Sequence, residues 1–101
     1  MTDQHFNGLS PAQAERFAFL CEELGEVQQI IGKILRHGLF SHNPVTGSVS
    51  NRELLHIELG DVLAAIDLLV NANDLDFHSI ENARAAKREK VKPWMHHQGS
   101  P

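Results

Sequence analysis

The stretch that decides the fold is Leu20-Cys21-Glu22-Glu23-Leu24-Gly25-Glu26-Val27, where three carboxylates interrupt an apolar, helix-patterned run. It has an echo in Ile57-Glu58-Leu59-Gly60-Asp61-Val62. On an α-helix, residues three apart lie one turn apart on the same face, so Glu23 stands beside Glu26 and Glu58 beside Asp61. Two helices facing each other along these stretches bring four acids together. Crowded carboxylates repel one another and lose hydration, so a folded chain keeps such a cluster when cations occupy it or when some carboxyls hold protons. A divalent metal site is the first expectation.

Outward from this stretch, Ser10-Pro11 reads as a helix start, with Ser10 as N-cap and Pro11 in the first helical position. The helix is expected to run to about His37. Leu20, Leu24, Val27, Ile31, Ile34 and Leu35 share one arc, and Gly25, Gln28, Gly32 and Arg36 lie largely opposite. With Glu23 at zero on the helical wheel, Val27 falls at about +40°, Leu20 at about +60° and Ile30 at about -20°. Glu23 therefore points into the apolar arc. Glu26 sits at its edge, and Glu22 leans to the polar side with Gln29 and Lys33. The single Cys21 forms no internal disulfide and no zinc framework, and is expected to be a small core residue.

Gly38 to Val49 breaks the pattern with the turn formers Gly38, Asn43-Pro44 and Thr46-Gly47. His37 and His42 are candidates to touch a ligand there, or surface residues without a task. Ser50-Asn51-Arg52-Glu53 fits a capping box and starts a second helix, expected to reach about Asn71. Leu54, Val62, Ala65 and Leu69 lie within about 40° of Glu58, whereas Glu53, His56, Gly60, Asp67 and Asn71 take the far side. This helix has a polar face, yet Glu58 and Asp61 are off it, so solubility does not explain them. After a turn at Asn71-Ala72-Asn73-Asp74, Asp76 caps a third helix from about Phe77 to Val91, ended by Pro93. Phe77, Ile80 and Ala83 are its expected packing residues. Arg84, Lys87, Arg88 and Lys90 make its second half basic. Trp94-Met95 is expected to pack on the bundle or on a partner subunit.

The expected fold is all-α, an antiparallel helical bundle of three main helices. With 101 residues, a single domain over residues 1–95 accounts for the chain, followed by a disordered tail at 96–101. So short a chain with long apolar stripes is expected to complete its core by homo-oligomerisation, as a dimer or tetramer. A formal charge of -4 argues against binding to a nucleic acid polymer or a membrane surface. No apolar run approaches the ~20 residues of a membrane span and no signal peptide is evident, so a cytoplasmic location is the expectation.

Ligation by carboxylate oxygens without His or Cys selects hard cations, Mg²⁺ or Mn²⁺ rather than zinc. Such ions polarise a phosphoryl oxygen and activate a water, and Arg84, Lys87 and Lys90 are then candidates to meet the substrate's phosphates. Cations favoured by the dipole at a helix C-terminus are the plain alternative for that cluster.

Glu22-Glu23-Leu24-Gly25-Glu26 followed by Glu58-Leu59-Gly60-Asp61 resembles the E-E-x-x-E and E-x-x-D pattern of the MazG-like family, the all-α nucleoside triphosphate pyrophosphohydrolases. The resemblance spans the first two helices and extends loosely to the third. It implies Mg²⁺-dependent hydrolysis of a nucleoside triphosphate, deoxy or ribo, to monophosphate and pyrophosphate, a house-cleaning activity of dimers or tetramers. By position, Glu23, Glu26, Glu58 and Asp61 become metal ligands, and Glu22 a further ligand or the group that orients the attacking water. Glu22 and Glu23 are thus the candidate catalytic residues. The spacer of 31 residues between Glu26 and Glu58 is longer than the family's usual one. His5, Phe6, Phe40, His42 and Trp94 are candidates for base recognition. Two other functions are open: a non-catalytic metal-binding helical adaptor, and a di-iron carboxylate bundle using Glu53 and His56.

Overall fold

The computed structural model describes residues 7–45 and 47–99 of the chain. Three α-helices account for most of them: α1 (Pro11–His37), α2 (Asn51–Asn71) and α3 (Phe77–Lys90), followed by a 3₁₀ turn at Lys92–Trp94. The described residues contain no strand. The expected N-caps Ser10, Ser50 and Asp76 form, but the reciprocal capping box expected at α2 does not. Ser10 Oγ accepts from the Gln13 amide at 3.1 Å, and Gln13 Oε1 accepts from the Ser10 amide at 2.9 Å, so the reciprocal capping box belongs to α1. At α2, Ser50 Oγ accepts from the Glu53 amide at 3.2 Å, while the Glu53 carboxylate takes the Ser50 hydroxyl instead of the backbone. Asp76 accepts from both the amide and the hydroxyl of Ser79, at 2.9 and 2.7 Å.

α1 and α2 form an antiparallel hairpin. Its register follows from three links: Asn51 to Gly38 at the loop end, the two acid pairs in the middle, and Asp74 to Arg16 at the far end. The loop is laced to the start of α2. Gly38 ends α1 with φ of 102°, a conformation that favours glycine, and its amide reaches Ile34 O. The amides of Asn51 and Arg52 donate to the carbonyls of Ser41 and Leu39 at 2.8 and 2.9 Å, and the buried Asn51 side chain donates to Gly38 O at 3.1 Å. The first free amides of α2 are thereby satisfied by loop carbonyls.

The other end is held by a buried carboxylate. Asp74 receives Arg16 Nε at 2.6 Å, Arg16 Nη2 at 3.3 Å and Gln13 Nε2 at 3.1 Å, and its side chain is only 4% exposed. The Arg16 guanidinium holds the Asp74 carboxyl below its ordinary range. Gln13 thus both caps α1 and pins the turn after α2.

Two expectations about packing require correction. α3 does not join α1 and α2 as the third member of a bundle: it packs on the 3₁₀ turn that follows it, and none of its residues is buried. The reason is its composition, since beyond Phe77 and Ile80 its apolar residues are alanines, too little surface to hold it on the hairpin. Ile80 is half-buried, but Phe77 and Ala83 are exposed, as are Trp94 and Met95. The radius of gyration is 17.6 Å, against about 13 Å for a compact chain of this length. Cys21 is exposed and not a core residue, because it lies on the side of α1 turned away from α2.

The apolar arc of α1 also divides. Ile30 is buried and Leu20, Val27 and Ile34 are half-buried, whereas Leu24, Ile31 and Leu35 form an exposed flank. On α2, Ala65 and Leu69 are fully buried, and Ile57, Leu59, Leu63 and Leu68 are exposed. His96–Gly99 of the expected tail follow as bends and turns, and Ser100 and Pro101 lie outside the described residues.

Candidate metal centre

The middle of the hairpin brings the two acid pairs together. Glu23, Glu26, Glu58 and Asp61 each offer a carboxylate oxygen, and these four oxygens lie within 4.8 Å of one another. Glu23 is buried and the other three are half-buried. The local cause is helical phase: Glu23 shares the face of Ile30 that meets α2, and Glu58 shares the face of Ala65 and Leu69 that meets α1. Gly25 and Gly60, inside the two acid pairs, sit in open space and impose no steric requirement at the cluster.

Clusters of exposed acids are common on protein surfaces. This one differs in that Glu23 Oε2 and Glu58 Oε2 are buried and have no hydrogen-bond partner among the described residues. A buried acceptor left unpaired is costly, so these two oxygens call for a proton or a cation. The protonation behaviour agrees. A proton shared with Glu26, together with burial and the charges of Glu26, Asp61 and Glu23, pushes Glu58 up to about 7. Burial holds Glu23 above the ordinary carboxylate range, reinforced by Glu26 and Asp61. No lysine or arginine forms an ion pair with any of the four among the described residues.

The donor set is all oxygen, with one carboxylate from each of four side chains on two rigid helices. That chemistry fits a hard divalent cation of the Mg²⁺ or Mn²⁺ type. No histidine belongs to the cluster, and Glu53 and His56 are both exposed on α2, so the di-iron ligand pattern does not form among the described residues.

The other candidate residues fall elsewhere. Glu22 is exposed and outside the four-acid group, although its charge is felt by Glu23. Arg84, Lys87 and Lys90 are all exposed on α3, and Arg84 is paired with Glu81 at 2.6 Å. Since α3 is not packed along the hairpin, one chain does not bring these three cations onto the acids. Phe40 is exposed in the loop under the Arg52 guanidinium, 5.9 Å from its ring centre, and Trp94 is 76% exposed. His5 and Phe6 lie outside the described residues.

The loop end of the hairpin holds a feature that periodicity did not single out. A cavity of about 450 Å³ is lined there by Lys33, Arg36 and His37 of α1, His42 of the loop, and Asn51 and Leu54 of α2. Its sequence signal is the set of cations Lys33, Arg36 and His37 closing the first helix, followed in the loop by His42 and Asn43.

Fold and site together define a helical-hairpin protein with a four-carboxylate centre between its helices. No protein-family model matches the chain, and neither a curated protein nor a solved structure matches it. No helix among the described residues is long and apolar enough to cross a membrane.

Proposed function

We propose that this chain is a metal-dependent nucleotide pyrophosphohydrolase of the MazG-like kind, converting a nucleoside triphosphate to its monophosphate and pyrophosphate. The observation that carries the reading is the four-acid centre with two buried, unpartnered oxygens, Glu23 Oε2 and Glu58 Oε2. The sequence pattern of the two acid blocks adds the reaction type, by resemblance.

In this reading Glu23, Glu26, Glu58 and Asp61 would hold Mg²⁺ or Mn²⁺. When bound, the ion supplies charge neutralisation at the phosphate oxygens and lowers the pKa of a coordinated water. The chain's own contribution is positioning and charge. Glu22, next to the centre on α1 but outside it, orients the attacking water and takes its proton. The water oxygen forms a bond to the α-phosphorus, the bond from that phosphorus to the α–β bridging oxygen breaks, and pyrophosphate leaves with the electron pair. Burial of Glu23 keeps one wall of the centre rigid and dry, where fixed charges act most strongly.

Homo-oligomerisation belongs to the same proposal. Leu24, Ile31 and Leu35 on α1 and Ile57, Leu63 and Leu68 on α2 leave apolar surface uncovered, with Leu35 82% exposed. Large apolar side chains left uncovered on both helices are what an association interface presents. A second hairpin packed against such a flank gives a four-helix arrangement.

The test is direct. Purified protein is incubated with a panel of ribo- and deoxynucleoside triphosphates and Mg²⁺, and products are separated. Monophosphate and pyrophosphate in equal amounts, abolished by Asp61→Asn, support the proposal. A Mg²⁺-dependent rise in melting temperature without turnover of any nucleotide would replace it with a metal-binding adaptor.

A further inference from the structure

The proposed reaction needs a place for the outer phosphates of the substrate, and the cations of α3 do not supply it within the chain. The cavity at the loop end of the hairpin has the required chemistry. Lys33 and Arg36 carry its full charges, His37 and His42 add ring nitrogens, and Asn51 and Leu54 form its floor on α2. Among the described residues no carboxylate lines it, in a chain whose formal charge is -4. Lys33 and Arg36 take no part in any ion pair among the described residues, whereas Arg84 and Lys92 of the basic third segment are each bound to a glutamate three residues away.

The position matters as much as the charge. By helical rise, Lys33 lies about 10 Å along α1 from Glu26, and Leu54 about 6 Å along α2 from Glu58. Lys33 also falls on the same side of the α1 wheel as Glu26, about 20° from it. One groove of the hairpin thus carries an anionic centre and, one to two turns on, a cationic cavity. That polarity fits a cation bound at the first and a phosphate group at the second, joined by a single ligand.

Two simpler explanations do not account for the cavity. The helix dipole favours Arg36 and His37 at the C-terminus of α1, but it places no requirement on His42 of the loop or on the concavity itself. The N-terminus of α2 is not the attraction either, because the amides of Asn51, Arg52 and Glu53 are already taken by Ser41, Leu39 and Ser50. An anion here is gripped by side chains, with Arg36 offering a planar fork and Lys33 a point charge.

We infer that the Lys33–Arg36–His37–His42 cavity is the subsite for the pyrophosphate-bearing end of the nucleotide. The inference rests on the proposed nucleotide activity for its biological ligand, but its chemistry is tested without turnover. The full chain, in EDTA to leave the acid centre without metal, is titrated with inorganic pyrophosphate by calorimetry. Amide shifts are followed by NMR in parallel. Binding that moves the signals of Lys33, Arg36 and His42 is expected, weakening at least tenfold in the Lys33→Gln/Arg36→Gln double variant and unchanged in Lys87→Gln/Lys90→Gln. Both pairs are exposed side chains, and a circular dichroism spectrum matching the parent chain establishes that each variant is folded. Equal pyrophosphate affinity in parent and Lys33→Gln/Arg36→Gln, or weakening in the α3 variant instead, overturns the assignment. Nucleotide hydrolysis with a KM untouched by Lys33→Gln/Arg36→Gln overturns the subsite while leaving the proposed activity standing. Pyrophosphate binding at the cavity with no hydrolysis of any nucleotide does the reverse.

Discussion

Proton release on metal binding is the sharpest quantitative consequence of the four-acid centre. The side chain of Glu26, burial and the neighbouring acids push Glu58 up to about 7. A metal ligand must be deprotonated, so occupation of the centre expels whatever protons the acids hold. With a pKa of about 7, Glu58 is mostly protonated at pH 6, about half protonated at pH 7 and mostly ionised at pH 8. Mg²⁺ binding is therefore expected to release about half a proton per chain at pH 7 from Glu58. Release rises as the solution is made more acid, and Glu23, also held above its ordinary range, adds in the same direction. Calorimetric titration in two buffers of different ionisation enthalpy reads the number directly. Glu58→Gln removes this contribution and flattens the pH dependence. Release near zero at pH 6, or release that grows from pH 6 to pH 8, would refute the reasoning, because it would mean that the acids are already ionised in the metal-free protein.

Further outcomes follow from the same structure. A carboxyl whose folded pKa is raised contributes stability below its unfolded value, and that stability is lost as pH rises through the folded value. The raised values of Glu58 and Glu23 thus make the metal-free protein melt at lower temperature at pH 8 than at pH 5.5, a difference that saturating Mg²⁺ abolishes; a melt series in EDTA showing the opposite slope contradicts the crowding. Asp74 has the other sign: its lowered carboxyl loses stability as pH falls below about 3.8, and Asp74→Asn is expected to flatten that acid limb in circular dichroism melts. Leu69→Ala removes a fully buried side chain from a thin core and is expected to cost about 2–5 kcal/mol, lowering Tm on the order of 10 °C or more; a smaller shift would show that Leu69 is not central to the hairpin. Leu35→Glu combined with Leu63→Glu places charge on the exposed apolar flanks, and sedimentation velocity is expected to show monomer where the parent chain associates; an unchanged distribution assigns the interface to other residues.

Much of the hairpin was legible in the residue pattern, because its determinants are local. Ser10, Ser50 and Asp76 announce helix starts through short-range hydrogen bonds, and all three form them. The phase of Glu23 and Glu58 on their helices placed both toward the core, and the four acids do meet. What periodicity could not supply is whether an apolar stripe finds a partner. Leu24 and Ile31 belong to the same apolar arc as Val27 and Ile34, yet only the part of that arc turned toward α2 is covered. The same limit applies to α3, whose weak stripe was read as packing and is not. Asp74 reads equally well as a turn former. Its ties to Arg16 and Gln13, 58 and 61 residues earlier, depend on the hairpin closing first. Asn51 was read as part of a cap, and its role in anchoring the loop through Gly38 O is visible only once the loop folds back. The cationic cavity was hidden for the same reason, since Lys33 and Arg36 meet His42 and Asn51 only across the turn.

The proposed activity is tested most directly by ³¹P NMR of a nucleoside triphosphate panel incubated with the protein and Mg²⁺. The four-acid centre predicts that at least one nucleotide gives monophosphate and pyrophosphate together, with the reaction stopped by EDTA and by Asp61→Asn. No cleavage of any nucleotide, release of orthophosphate and diphosphate instead, or undiminished turnover in Asp61→Asn would contradict it.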